Sequence, residues 1–181
     1  NFPESVNFIR ENTEVTKKWN NIFNTYTGIK IGINSHSTTT ADKRRIPIEN
    51  FKHVTSLKKI NFFIIQKDFD KNKMKIINKY SNVNYFEDMD KIGKPFEDTI
   101  GIIKNLDLII TADTSLGHLS ATLGKKTWIA LPFVSDWRWF RDEKKSIWYE
   151  NVTLYKQKQI GNWEEVFHVI REDLKKEFSN K

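Results

Sequence analysis

Cysteine is absent from the chain, so neither a disulfide nor a thiolate metal site is open to it. Proline and glycine are scarce, four and seven in 181 residues, and they form no low-complexity linker that would divide the chain. No apolar run approaches the roughly 20 residues needed for a membrane-crossing helix. The opening "NFPESVNFIR" lacks the basic start and apolar core of a secretory leader, so cytoplasmic placement is expected. Two phosphate loops are missing as well. The stretch Gly124-Lys125-Lys126-Thr127 has Leu119 where a Walker loop requires its first glycine, and no dinucleotide glycine fingerprint occurs. No His/Asp/Glu set has metal-ligand spacing, so no metal or other cofactor is expected.

Acidic residues are in deficit, giving a formal net charge of +7. A basic balance raises the question of nucleic acid. The lysines are nevertheless scattered, and the clusters are short: Lys43-Arg44-Arg45, Lys125-Lys126 and Lys144-Lys145. That distribution suits a small anionic ligand better than a polynucleotide.

What is present is an alternation of apolar runs with amphipathic stretches. The runs "IKIGIN" (29–34), "INFFIIQ" (60–66), "NVNYF" (82–86), "DLIIT" (107–111) and "KTWIALP" (126–132) read as strands, with "NVTLYK" (151–156) as an edge strand. Helices are expected over 3–24, with Pro3 in the first turn, over 47–59, 70–80 and 95–106, after Thr114, and over 162–178. Strands that are continuously apolar belong to a parallel sheet covered on both faces. The expected fold is therefore a doubly wound, Rossmann-like α/β domain. One domain is expected over 1–181: an N-terminal helix and linker (1–27), an α/β core (28–160) and a C-terminal helix (161–181).

Ligands of such sheets bind at the carboxyl ends of strands, where helices begin. "ADTSLGHLSATLG" (112–124) lies at such a junction. Leu116, Leu119 and Leu123 share one helical face, Gly124 is placed to end the helix, and Asp113, Thr114, Ser115 and His118 gather at its start. A helix N-terminus favours an anion, and the same residues also serve as ordinary caps. Four of six tryptophans fall in 128–149. Trp137 and Trp139 are candidates for stacking on a sugar or base, with Arg138 beside them, or for filling a domain interface; Trp128 lies within a strand and reads as core.

The segment "EDTIGIIKNLDLIITADTSLGHLSATLGKKTWIALP", followed by "DWRWF", "SIWYE" and "YKQKQIGNW", resembles the glycosyltransferase-like domain that follows tetratricopeptide repeats in bacterial proteins. That domain is related to the heptosyltransferases of glycosyltransferase family 9. "KIGINSHSTTTADKRRIPIENF" upstream is similar to the same family. The resemblance implies the C-terminal, donor-binding half of a GT-B glycosyltransferase that uses a nucleotide diphosphate sugar. It assigns Asp113, Thr114, Ser115 and His118 to the diphosphate and sugar, Lys43 and Arg44 to phosphate, and Gln66 to the vicinity of the nucleoside. It also implies that the general base and the acceptor-binding or repeat region lie outside this chain. Ser115 stands where heptosyltransferases usually carry glycine, and Asn34 and Ser37 stand near the family's tryptophan and glycine. A non-catalytic, degenerate ligand-binding module is the alternative reading.

Overall fold

The structure, a computed structural model, describes residues 9, 11–36, 44–67, 69–79, 81–140 and 144–179. Lys43 and Ser37 lie outside these residues. So do Pro3 and most of the stretch before residue 11.

Six strands form one parallel sheet: β1 (Ile29–Asn34), β2 (Ile60–Ile64), β3 (Val83–Tyr85), β4 (Leu108–Ala112), β5 (Thr127–Leu131) and β6 (Val152–Lys156). Their order is β3-β2-β1-β4-β5-β6, and every pairing is parallel. This is an open Rossmann-like sheet whose strand order reverses between β1 and β4. A crevice forms at that point, at the carboxyl ends of the two strands.

The period of two in the strands divides the core between the two faces. Ile31, Ile33, Phe62, Leu108, Ile110, Trp128 and Ala130 point to one face and pack with Phe167 and Ile170 of α6 (Trp163–Glu177). Phe63 and Ile109 point to the other, toward α1 (Thr13–Phe23) and α4 (Glu97–Lys104). Trp128 is core, as its place in a strand implies. Ile129, Leu131, Val152 and Leu154 enclose Trp139 in a third, smaller cluster.

Three helices are shorter than the sequence implies. α1 starts at Thr13, where the Asn12 side chain accepts from Glu14 N and Val15 N and fixes the first turn. The 47–59 stretch is a 3-10 turn (Ile48–Phe51) running into α2 (Lys52–Thr55), and 70–80 holds only a 3-10 turn (Lys71–Lys73) and α3 (Met74–Ile77). α5 (Ser115–Thr122) leaves the end of β4 as expected, and its leucine face packs toward Ile109. Gly124, at φ +75°, closes it in the left-handed region that suits glycine. Among the described residues no helix is long and apolar enough to cross a membrane.

Candidate functional site

A cleft of about 990 Å³ opens at the carboxyl ends of β1, β2 and β4. The strand ends bring His36, Gln66, Thr114 and Ser115 to its wall, and Arg45, Lys67 and Lys73 add positive charge. Glu49, Asp70 and Asp90 also line it, but the Asp90 carboxylate is engaged, accepting from Asp98 N and Thr99 N at the start of α4.

At the β4–α5 junction Asp113 is 2% exposed. Its Oδ2 has no hydrogen-bond partner and lies 3.9 Å from the Arg44 guanidinium. The Arg44 side chain remains 41% exposed while its guanidinium faces this buried carboxylate. Thr114 occupies the N-cap position of α5 without making a capping bond. Its hydroxyl instead lies 3.2 Å from that of Thr111, which in turn reaches Ala112 O (2.9 Å) and Asn34 Oδ1 (3.4 Å). The capping expected of Thr114 is replaced by a tie between β4 and β1. The Thr114 carbonyl accepts from Gly117 N at 3.0 Å, while its hydroxyl leaves the start of α5 without a side-chain cap.

His118 sits one turn into α5, outside the cleft wall. Its ring stacks on Trp139 at 5.2 Å and 20°, and Nδ1 lies 3.2 Å from the Tyr149 hydroxyl. Burial pushes its pKa below 6.5; Arg138 acts in the same direction, while Asp113 and Asp136 oppose it. Trp139 is 1% exposed and has His118 against its face, so its stacking partner is a ring of the protein itself. Trp137 is 71% exposed, with the Arg138 guanidinium 5.9 Å from its ring centre, and it borders a different groove. Arg138 pairs with Asp136 at 3.1 Å. The structure therefore separates this aromatic turn from the cleft that holds Gln66, Thr114 and Ser115.

His36 went unnoticed in the sequence, though it lies two residues past β1. With the Gln66 amide in its observed orientation, Ser35 donates its proton to Gln66 Oε1 (3.0 Å). Gln66 Nε2 then donates to His36 Nε2 (3.2 Å), and His36 Nδ1–H donates to Ser35 Oγ (2.7 Å). The ring of bonds closes only around a neutral His36. Burial holds its pKa below 6.5, and the charges of Arg45 and Lys73 add to that. His53 is also lowered, by burial first, then by Lys52, His168 and Arg171 against the raising effect of Glu164.

Three histidines thus resist protonation in the fold, while the unfolded chain takes up protons near 6.5. Their contribution to stability is complete above that pH and is lost as pH falls through the lower folded values. The urea midpoint should therefore drop between pH 7.5 and 5.5, and His36→Gln should make the drop shallower. A midpoint that is flat over that range contradicts this electrostatic picture.

Among the described residues, no group of three or more His, Asp or Glu side chains could hold a metal ion.

No protein-family model matches the sequence, and no curated protein matches it. Solved structures do. A glycosyl transferase family 9 protein from Veillonella parvula superposes with a TM-score of 0.62 at 13% identity, over 95% of this chain and 45% of the other. The E. coli ADP-heptose LPS heptosyltransferase II gives 0.60 at 9% identity, over 93% and 54%. An E. coli heptosyltransferase solved with ADP gives 0.57 at 13%, over 87% and 46%. The chain has a glycosyltransferase-like fold and spans about half the length of these structures.

Proposed function

We propose that this chain is the nucleotide-sugar-binding half of a GT-B glycosyltransferase, related to the heptosyltransferases, and that it works with an acceptor-binding or repeat region on another stretch of polypeptide. The observation that carries the reading is the junction of β4 and α5. An uncapped helix start, a buried carboxylate with an unmet oxygen and an arginine meet there, beside a cleft at the switch point of the sheet. In this reading the diphosphate lies over the first turn of α5, the sugar reaches Asp113, and the nucleoside lies along Gln66 and His36.

In the reaction, the bond between the sugar's anomeric carbon and the diphosphate oxygen breaks, and the diphosphate leaves with the electron pair. The acceptor hydroxyl bonds to that carbon and gives its proton to a base supplied from outside this chain. The role of these residues is electrostatic. N–H groups fixed at a helix start, together with Arg44, stabilise negative charge as it grows on the leaving group.

A panel of nucleoside diphosphates in a thermal-shift assay tests the reading. One member at a hundredfold excess over its dissociation constant should stabilise the fold by about 2.7 kcal/mol. Arg44→Ala should weaken that binding most at low salt, because the lost term is a charge attraction. If no diphosphate raises the melting temperature at millimolar concentration, the donor-site reading fails.

A further inference from the structure

A second groove, of about 1110 Å³, lies at the carboxyl ends of β5 and β6, away from the cleft above. Phe133, Trp137 and Phe140 border it, each with a substantially exposed ring. Lys144, Lys156 and Lys158 complete the rim, and among the described residues no acidic side chain lines it. The ammonium groups have local partners: Asp173 at 3.6 Å from Lys144, Glu165 at 2.8 Å from Lys158, and Phe140 O at 2.5 Å from Lys156. An ammonium carries three donors, so Lys158, paired with Glu165 and largely exposed, keeps capacity for an added anion.

Gln157, 4% exposed, forms part of the same wall. Its Oε1 accepts from Phe133 N and Gly161 N, both at 3.2 Å, while its buried Nε2 has no acceptor. A buried donor without a partner is a standing cost that a ligand oxygen would remove. Aromatic rings, three rim lysines and an unmet amide donor together form a place for a molecule with an apolar face and an acid group.

We propose that this groove binds a carbohydrate bearing a carboxylate or phosphate, with a C–H face of the sugar against Trp137 and the acid group toward the lysines and the Gln157 amide. An acidic peptide fits less well. Strand addition needs a free sheet edge, and the outer edge of β6 is already covered: Leu154 N donates to Lys144 O at 2.8 Å, and Lys145 bridges Thr153. Binding rests on the groove alone.

The test uses residues 1–181 with a glucuronate-containing disaccharide and glucose 6-phosphate, set against a neutral disaccharide and glucose. Binding is followed by calorimetry and tryptophan fluorescence. The acidic probes should bind saturably and at least about tenfold tighter than their neutral counterparts. Trp137→Ala, at a ring mostly in solvent, should weaken them about tenfold or more with an unchanged melting temperature. Lys158→Gln should reduce both affinity and its salt dependence. Equal affinity for neutral sugars, no acidic sugar bound at tens of millimolar, undiminished binding by Trp137→Ala, or an acidic peptide binding more tightly would each overturn the proposal. The nucleoside diphosphate shift, measured on the same protein, reports on the other cleft and fails or succeeds separately.

Discussion

Gly32→Val is expected to abolish folding or to reduce stability by more than about 3 kcal/mol, beyond the common range for overpacking. Gly32 lies in β1, between β2 and β4, paired with Phe63 on one side and Ile109 on the other. A Cβ there would sit 2.6 Å from the Cδ1 atoms of both Ile109 and Ile65, and 2.9 Å from Leu106 Cδ1. All three side chains are buried, so none can swing into solvent to make room. Valine adds two further methyl groups to the same volume. Its higher strand propensity acts in the opposite sense but spans only about 1 kcal/mol, so the clash decides the outcome. Gly32→Ala should show a smaller loss of the same sign, about 1–3 kcal/mol. Urea titration followed by tryptophan fluorescence measures both, and a valine variant with the parent's midpoint would mean that the face of β1 is not packed as described.

The sheet was legible because its strands are buried on both sides. Leu108, Ile109 and Ile110 in "LDLIIT" are apolar at consecutive positions because both faces are covered, and that pattern survives without knowledge of neighbours. The helices were harder. Ile48, Phe51 and Val54 bury side chains at a spacing of three, which serves a 3-10 turn followed by one α turn as well as it would a long helix. The start of α1 was misplaced because Pro3 drew the boundary, although Asn12 carries the cap.

At the site, the position of Asp113 and Thr114 followed from the end of an apolar strand and needed no tertiary information. The inward turn of Thr114 did not follow, since it depends on Asn34 of β1, across the sheet from Thr111. His36 was invisible for the same reason: its partner Gln66 arrives from a neighbouring strand. Trp137 and Trp139 look equivalent in "DWRWF". Their opposite fates, solvent and core, are set by the 3-10 turn (Trp137–Trp139) that carries them and by the His118 ring waiting beneath the second.

Asp113→Asn should separate sugar recognition from phosphate recognition. The carboxylate is buried, and Oδ2 accepts no hydrogen bond in the unliganded fold. Its Arg44 partner, at 3.9 Å, is beyond hydrogen-bonding distance. A buried carboxylate oxygen without a hydrogen-bond donor does not serve stability well, and Asp113→Asn should leave the melting temperature unchanged or raise it. A carboxylate beside a diphosphate also repels it, so the variant should bind the bare nucleoside diphosphate as well as the parent does, or better. What the carboxylate offers is strong acceptance from hydroxyl groups, and a sugar supplies those. Hydrogen bonds to a charged group contribute about 1.5–3 kcal/mol, so affinity for the matching nucleotide-sugar should fall by about ten- to a hundredfold. Calorimetric titration of parent and variant with the nucleoside diphosphate selected by the panel, and then with its sugar conjugate, gives both values. Equal losses for the two ligands would place Asp113 in the phosphate site or in the fold. A loss confined to the sugar conjugate, in a variant at least as stable as the parent, is the result expected if this carboxylate is kept for the donor sugar.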